Sequence, residues 1–324
     1  MGLLIVHPGV STTVQDRGRS GYRQWGVPVS GAFDRGAYDL ANALLGNDPG
    51  AAALELTLLG GTYKALCPLA IALTGAAMVA RVVSPDGRER PVRVPQTATL
   101  AAGERLIVGG APHGARTYLA ARGGWTTPCV LGSRSREVRL EAGDVVPAEP
   151  GTTPVRRPAG PLPAIPDDAP IRIVAGPDAP PGFASDPAGD RTFRLGAQSD
   201  RMGLRLEGAA WEVDREASRL SAPVAPGAVQ VAGGRAIILG VACGTMGGYP
   251  HVAHVISADL GRLAQARPGD LIRLRRVGLD EARRIDREDR RGRAAQVLRV
   301  ATLASDGTST GRTLTTTVET GSTA

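Results

Sequence analysis

The stretch PAEPGTTPVRRPAGPLPAIPDDAP, residues 147–170, carries eight prolines in twenty-four positions. Each proline lacks a backbone N–H and fixes its own φ, so a run this dense forms neither a helix nor a central strand. It reads as a linker, and it divides the 324-residue chain into two units, each long enough to bury a core of its own. The expected organisation is a first domain over 1–146, the linker over 147–170, a second domain over 171–277, and a basic helix with a disordered tail over 278–324.

Both flanks of the linker have the texture of β-structure. Before it come the short apolar or alternating runs LLIVH, ALELTLL, LAIALTG, MVARVV, PVRV, RLIVGG and RTYLAARG, bounded by glycine and proline, with SPDGRER as a hairpin turn. After it come IRIVAGP, TFRLG, AVQVAGG, AIILGVA, HVAHVIS and DLIRLRRV. This predicts a mainly β protein with a few helices, built as two β-barrel-like or sandwich domains. TATLAAGERLIVGG in the first half and GRLAQARPGDLIRLRR in the second share a small-residue step, a glycine before an acid, and a strand; the echo suggests related barrels.

The clearest helix lies in SGAFDRGAYDLANALLGN, where Ala37, Leu40, Ala41, Leu44 and Leu45 form one apolar stripe. Ser30 or Asp34 can cap its start, Ser30 reading better as a cap than as a hydrolase nucleophile because no GxSxG elbow surrounds it, and Gly46 with Asn47 supplies the left-handed stop. SADLGRLAQA predicts a second, short helix. LDEARRIDREDRRGRAAQVLRV mixes charges of both signs at helical spacing, as a solvated helix face does.

Composition excludes several classes of function. The net charge is +7, but residues 271–300 hold ten arginines against five acids, and aromatic residues make up 3%, so a nucleic-acid surface is not expected. No window approaches eighteen uninterrupted apolar residues, and MGLLIVHPGV lacks a basic segment before its apolar run, so no membrane span and a cytoplasmic location are expected. Cys67, Cys129 and Cys243 read as reduced core residues. The one lysine, Lys64, sits in a strand-like run, so there is no P-loop and no Schiff-base lysine. In HVAH, His251 and His254 are three apart and would point to opposite faces of a strand, so no metal site is expected.

What remains are glycine-bearing loops, whose backbone N–H groups can receive a carboxylate or a developing oxyanion beside a few fixed side chains. VQDRGRSGYRQWGVPVSGAFD runs into the helix and offers Gln15, Asp16, Arg19, Ser30, Gly31 and Asp34; a helix start favours an anion, but a capped loop is the plainer reading. LAARGGWTTPCVLGSRS offers Ser133 and Arg134, with Arg134 either gripping a carboxylate or merely solvated. LGVACGTMGGYPHVAHVIS offers Thr245, Gly247, Gly248, Tyr249 and His251. In AQSDRMGLRLEG, Asp200 and Arg201 are expected to pair with each other at the surface.

On these strings, together with LANALLGN and SADLGRLAQARPGD, the chain resembles the KipA or PxpC family over roughly residues 3–277. Members of this family are the C subunits of 5-oxoprolinase, also called allophanate hydrolase subunit 2, and are akin to the carboxyltransferase part of urea carboxylase. The resemblance implies two cyclophilin-like β-barrel domains, a PxpB/KipI-like and a PxpA-like partner, and ATP-driven opening of the 5-oxoproline lactam to L-glutamate. It implies ATP use by the complex, which without a P-loop in this chain involves another chain or another kind of site, and biotin only if a partner chain carries it. It also implies two alternatives: a urea carboxylase-like subunit acting on another small amide, or a non-catalytic regulatory partner. For that reaction the chemistry of lactam opening leads us to expect Arg19 or Arg134 on the substrate carboxylate, Gly247 and Gly248 N–H groups facing the carbonyl oxygen, and Asp16 or Asp34 orienting a water or proton, with Tyr249 and His251 as further catalytic candidates. The chain departs from the family at Met246, where a threonine is usual, and at His251, where a lysine is usual.

Overall fold

In the strand Leu69–Gly75 large and small apolar residues alternate, and a strand sends alternate residues to opposite faces. The computed structural model describes residues 1–158, 169–180, 183, 190–211, 213 and 220–302. In it Leu69, Ile71 and Leu73 enter a core between two sheets, while Ala70 and Ala72 lie under the helix α1, Arg35–Leu45. The strand Arg116–Ala121 repeats the division, with Leu119 and Ala121 inward and Tyr118 and Ala120 beneath α1. Alanine on the outer face lets the helix settle close to the sheet.

The inner sheet of this half runs Ser11–Gln15, Ala53–Thr57, Arg116–Ala121, Leu69–Gly75, Gln96–Leu100, all antiparallel. The facing six-stranded sheet runs Val145–Pro147, Gly2–His7, Thr62–Ala65, Arg105–Val108, Ala80–Val83, Glu89–Val92, with SPDGRER turning between the last pair as expected. The second half closes into a seven-stranded barrel, where Ile171–Ala175 pairs in parallel with Leu271–Arg276. The expectation of two barrels is therefore corrected: one half closes, and the other is a pair of open sheets. The physical reason lies at the edges of the inner sheet. Val14 and Thr12 accept backbone bonds from Arg136 and Leu140, and Thr97 and Thr99 bond Pro154 and Thr153. With its edges covered by irregular chain, that sheet has no need to pair with its neighbour.

The proline stretch thus lies along the first half up to Arg156–Pro158, which pairs antiparallel with Val300–Thr302. Residues 159–168, and the tail expected to be disordered, fall outside the described residues. Helix α1 has its predicted stripe and its left-handed stop at Gly46, but the cap is Asp34, whose Oδ1 accepts the Ala37 N–H at 3.0 Å. Ser30 is not the cap; it sits at φ 58°, and its hydroxyl donates to the Glu137 carboxylate. The second helix, α2, is Leu260–Gln265 after a 3-10 turn. The arginine-rich helix, α3, is Leu279–Leu298, and Arg284–Glu288, Arg290–Asp286 and Arg293–Asp289 pair along it at i,i+4. It leans on α1, with Arg293 Cδ 3.5 Å from where a Cβ on Gly36 would stand. All three cysteines are free; Cys67 and Cys243 are buried as expected, but Cys129 is exposed, in the irregular loop before the Val130–Ser133 bridge. No helix among the described residues is long and apolar enough to cross a membrane.

The halves meet on one buried carboxylate. Glu55 is 1% exposed, in the middle of an apolar strand. Its Oε1 accepts from Arg116 Nε at 3.2 Å and from Arg201 Nη1 at 2.6 Å; its Oε2 accepts from the Phe33 N–H at 3.0 Å and the Tyr118 hydroxyl at 2.7 Å. Arg201 comes from the second half and also binds Glu137 and the Gly31 carbonyl. It does not pair with Asp200, as the sequence led us to expect, because Asp200 is turned back onto the Met202 and Gly203 N–H groups. Burial alone would raise the pKa of Glu55, but Arg201 and then Arg116 outweigh it and hold the carboxyl below its ordinary range. Glu55→Gln leaves two half-paired buried guanidinium groups and is expected to destabilise by about 3–5 kcal/mol, read as a lowered midpoint in chemical denaturation.

Candidate functional site

Asp16 follows the edge strand Ser11–Gln15 and turns into the glycine loop. Its Oδ1 accepts from Gly18 N at 2.7 Å and from the Ser133 and Ser135 hydroxyls, each at 2.6 Å; its Oδ2 accepts from Arg134 N at 2.5 Å. Burial would push this carboxyl up, but the bonds from Ser133, Ser135, Arg134 N and Gly18 N together hold it below its ordinary range. Gly31 closes the same knot from the other side: at φ 89°, its Cβ would stand 2.9 Å from Gly18 N. Gln15 reaches across to the Arg136 carbonyl at 2.8 Å, while its Oε1 is buried with no partner. Arg19 donates to the Val130 and Ser135 carbonyls, and Arg134 to the Thr127 carbonyl.

Seven of the residues singled out in the sequence, Gln15, Asp16, Arg19, Ser30, Gly31, Ser133 and Arg134, are thus brought into one knot. Their polar atoms are mostly bonded to one another or to loop carbonyls. Asp34 stands apart at the mouth of α1, which it plugs, with Gln265 Nε2 from α2 bonded to its Oδ2 at 2.7 Å. Burial pushes the Asp34 carboxyl above its ordinary range, more than the bonds from Gln265 and Ala37 N lower it.

The knot forms one wall of a cleft of about 1090 Å³, with Asp16, Ser30 and Phe33 on one side, Pro226 and Leu260 on another, and Arg290 and Arg293 of α3 on a third. A second hollow of about 320 Å³ lies beyond Ser30, between Arg19 and Glu137. Ser30 N donates to the Val241 carbonyl, which joins the knot to the start of the second glycine loop.

In that loop Met246–Gly247 pairs with Ala222–Pro223. Thr245 is buried, and its carbonyl accepts from Val224 N. Gly247 is packed so tightly that a Cβ would stand 2.5 Å from Gln230 Nε2, the atom that donates to the Tyr249 carbonyl at 3.1 Å. Gly248 has more room, with Ser221 Oγ 3.6 Å from its Cβ position. Tyr249 is 56% exposed. His251 N donates to Asp178 Oδ2 at 2.7 Å.

The expectation that His251 and His254 face opposite ways is overturned. Where His251–Val255 pairs with Ala228–Ala232 the register slips between Val229 and Gln230, and the bulge turns both imidazoles to one side, with centroids 5.4 Å apart. Among the described residues no group of three or more His, Cys, Asp or Glu is placed to hold a metal. Sequence reasoning missed Glu55, Arg116, Glu137, Gln230 and Gln265. Only Glu55 left a clear signal, as a lone acid inside ALELTLL.

Asp16→Asn removes the charge on which four donors converge and is expected to cost about 2 kcal/mol at neutral pH. Because the pKa of Asp16 is lowered on folding, its contribution is complete above 3.8 and disappears as pH falls through the folded value. Denaturation curves of the two proteins should therefore converge under strongly acid conditions, and a constant gap would show that the charge is not what matters.

A family model described as carboxyltransferase domain, subdomain A and B, matches residues 25–276. The C subunit of 5-oxoprolinase from Escherichia coli (strain K12) is 35% identical over 305 residues, covering 89% of this chain and 96% of that protein. Urea amidolyase of Lachancea kluyveri is 29% identical, and the match covers 87% of this chain but 17% of that protein. Among solved structures, TTHA0988 superposes with a TM-score of 0.73 at 33% identity, covering 86% of this chain and 56% of that one. The K. lactis urea amidolyase superposes with a TM-score of 0.74 at 26% identity, over 91% of this chain and 20% of that one. The chain spans nearly the full length of the Escherichia coli protein but only about half of the solved TTHA0988 chain. A match over most of the chain, at this identity and in this fold, settles its membership: the protein belongs to the carboxyltransferase-domain family that includes the C subunits of 5-oxoprolinase.

Proposed function

We propose that this chain is the C-type subunit of an ATP-dependent 5-oxoprolinase, which opens the lactam of 5-oxoproline to L-glutamate with PxpB/KipI-like and PxpA-like subunits. The observation that carries the reading is the end-to-end correspondence with a subunit of that name. A lactam is held closed by amide resonance, so opening it requires donors for negative charge developing on the carbonyl oxygen and a proton for the departing nitrogen. On this reading we assign both kinds of group to the second glycine loop, with backbone N–H groups at Gly247 and Gly248 for the oxygen and Tyr249 or His251 for the proton; what supports the assignment is that these residues adjoin one another in the chain, between Met246–Gly247 and His251–Val255. Asp16 and Asp34 serve this reading better as supports than as proton carriers, since both already hold backbone or side-chain donors.

The residues of this chain do not form a P-loop for ATP. Lys64 lies on a strand, paired opposite Leu4 and Arg105, and not in a phosphate-wrapping loop. No step is assigned to ATP here, and a biotin carrier would have to come from another chain. A second reading, a urea carboxylase-like subunit acting on another small amide, is favoured by one observation: Met246 and His251 stand in the loop where the family usually has threonine and lysine.

The test is reconstitution with the two partner subunits and an ATP-dependent assay for glutamate. Glutamate released from 5-oxoproline supports the first reading; turnover only of another amide with a biotinylated carrier supports the second; a tight complex without turnover refutes both and favours a regulatory role. Gly247→Ala pushes against Gln230 and frees the Tyr249 carbonyl, so kcat/KM is expected to fall roughly 10²-fold with little change in melting temperature.

A further inference from the structure

Ser30 is not the cap of α1, and its surroundings give the hydroxyl another use. It stands at φ 58°, in the left-handed region that a serine adopts only where its neighbours hold it there. Ser30 N donates to the Val241 carbonyl at 3.0 Å and Ala32 N to the Asp16 carbonyl at 2.9 Å, so the turn is held on both sides. Two other non-glycine residues share that region among the described residues, Leu58 and Leu131, and Leu131 lines the same hollow as Ser30. Ser30 is 3% exposed, yet it borders both the cleft of about 1090 Å³ and the hollow of about 320 Å³. Among the described residues it is the one that lines both.

A serine becomes a nucleophile when a base can take its proton and a third group holds that base in place. Both groups are present. The Ser30 hydroxyl donates to Glu137 Oε1, and Glu137 stands in the wall of the hollow. Arg201 grips the same carboxylate through two nitrogens, Nε to Oε2 at 2.7 Å and Nη2 to Oε1 at 3.2 Å, which fixes its direction. Charge favours the transfer. Glu55, Glu137, Arg116 and Arg201 sum to zero, so a proton arriving on Glu137 leaves the cluster positive as an oxyanion forms beside it. The backbone N–H that follows a nucleophilic serine is a ready donor to that oxyanion. Here it belongs to Gly31, and it has no acceptor among the described residues.

We propose that Ser30 is an acyl-accepting nucleophile with Glu137 as its base, an activity beyond lactam opening that uses no group of the second glycine loop. The substrate class is a small ester or amide with a short apolar acyl group. The acyl group enters the hollow, walled by Val27, Pro28, Val130, Leu131 and Ala242, and the leaving group lies on the side of the larger cleft. Ser30 Oγ bonds to the acyl carbon while its proton passes to Glu137 Oε1. The bond from the acyl carbon to the leaving oxygen or nitrogen breaks, and that atom departs with the proton from Glu137. Water then adds to the acyl carbon of the Ser30 ester and gives a proton to Glu137. The acid leaves as Oγ recovers that proton, so serine and glutamate end as they began.

The test uses the full-length chain alone, with p-nitrophenyl butyrate and p-nitrophenyl acetate as probes. With the butyrate the expected result is a burst of p-nitrophenolate stoichiometric with the chain, and a butyryl group on Ser30 by peptide mapping after an acid quench. Cys129, which is exposed, and Lys64 are the competing acceptors, and mapping tells them apart. The butyrate should react roughly tenfold or more faster than the acetate, because its further methylenes enter the apolar hollow. Ser30→Gly removes the hydroxyl and suits φ 58°, so it should keep the fold while the burst falls and the adduct at residue 30 is lost. Glu137→Gln keeps the hydroxyl and should slow acylation of Ser30 roughly 10²-fold or more. Butyryl groups on Cys129, Lys64 or the N-terminus but none on Ser30 overturn the proposal. So do a burst undiminished in Ser30→Gly, an unchanged rate in Glu137→Gln, and equal rates for the two esters. Mapping of the wild type decides even where a variant fails to fold. Because acylation is read on the chain alone, its failure and the failure of the reconstituted complex to release glutamate are separate results.

Discussion

A carboxylate with almost no access to water, between arginines from two halves of the chain, is the constraint on which the rest of this structure depends. Glu55 is fixed by its strand, Arg116 by the neighbouring strand, and Arg201 by the turn that enters the barrel strand Gly203–Glu207. Charges taken out of water are stable only while they remain paired and hydrogen-bonded, so the three residues admit very little relative movement. The same carboxylate accepts the Phe33 N–H and the Tyr118 hydroxyl, and the latter accepts the Asp34 N–H. The entry to α1 is therefore tied to the seam, and so is the wall of the cleft that contains Phe33.

Around this seam the loops are held by acids that accept backbone N–H groups. Asp16 does so for Gly18 and Arg134. A smaller version recurs in three turns, where Glu104, Asp144 and Asp270 each follow a left-handed glycine and each accept the N–H three residues back. Two of these turns are the echo noticed between the halves of the sequence. The third lies within the first half, so the echo is accounted for by turn chemistry: the glycine supplies the positive φ and the acid closes the loop. It carries no message about common ancestry of the two halves.

What the sequence made legible was what local chemistry decides. The stripe from Ala37 to Leu45, the stop at Gly46, the hairpin at SPDGRER and the charge-paired helix near the end all depend on neighbours within a few residues. What it hid was decided at long range. Nothing near Arg201 signals that its partner is 146 positions away, and a cap at Asp34 in place of Ser30 follows from Glu137 claiming the serine hydroxyl. Alternation along HVAHV was correct as a rule for a regular strand; one extra residue against Gln230 reversed its conclusion. Closure of one half and not the other depended on which sheet edges irregular chain happened to cover. The loops that gather the candidate site were visible as glycine clusters, but the side chains that lock them lay elsewhere in the chain.

Helix α3 has a consequence of a different kind. The family match ends at residue 276, before this helix begins, yet α3 lines the cleft and leads to Val300–Thr302, which pairs with Arg156–Pro158 in the proline stretch. A three-residue pairing between separate molecules would be negligible. Here the helix holds one strand near the other, and tethering of this kind gives effective concentrations on the order of millimolar. The chain therefore crosses between its two halves twice, once by covalent linkage and once by this clasp. One wall of the cleft is thus held at both ends, by the packing of α3 on α1 and by this clasp beyond it.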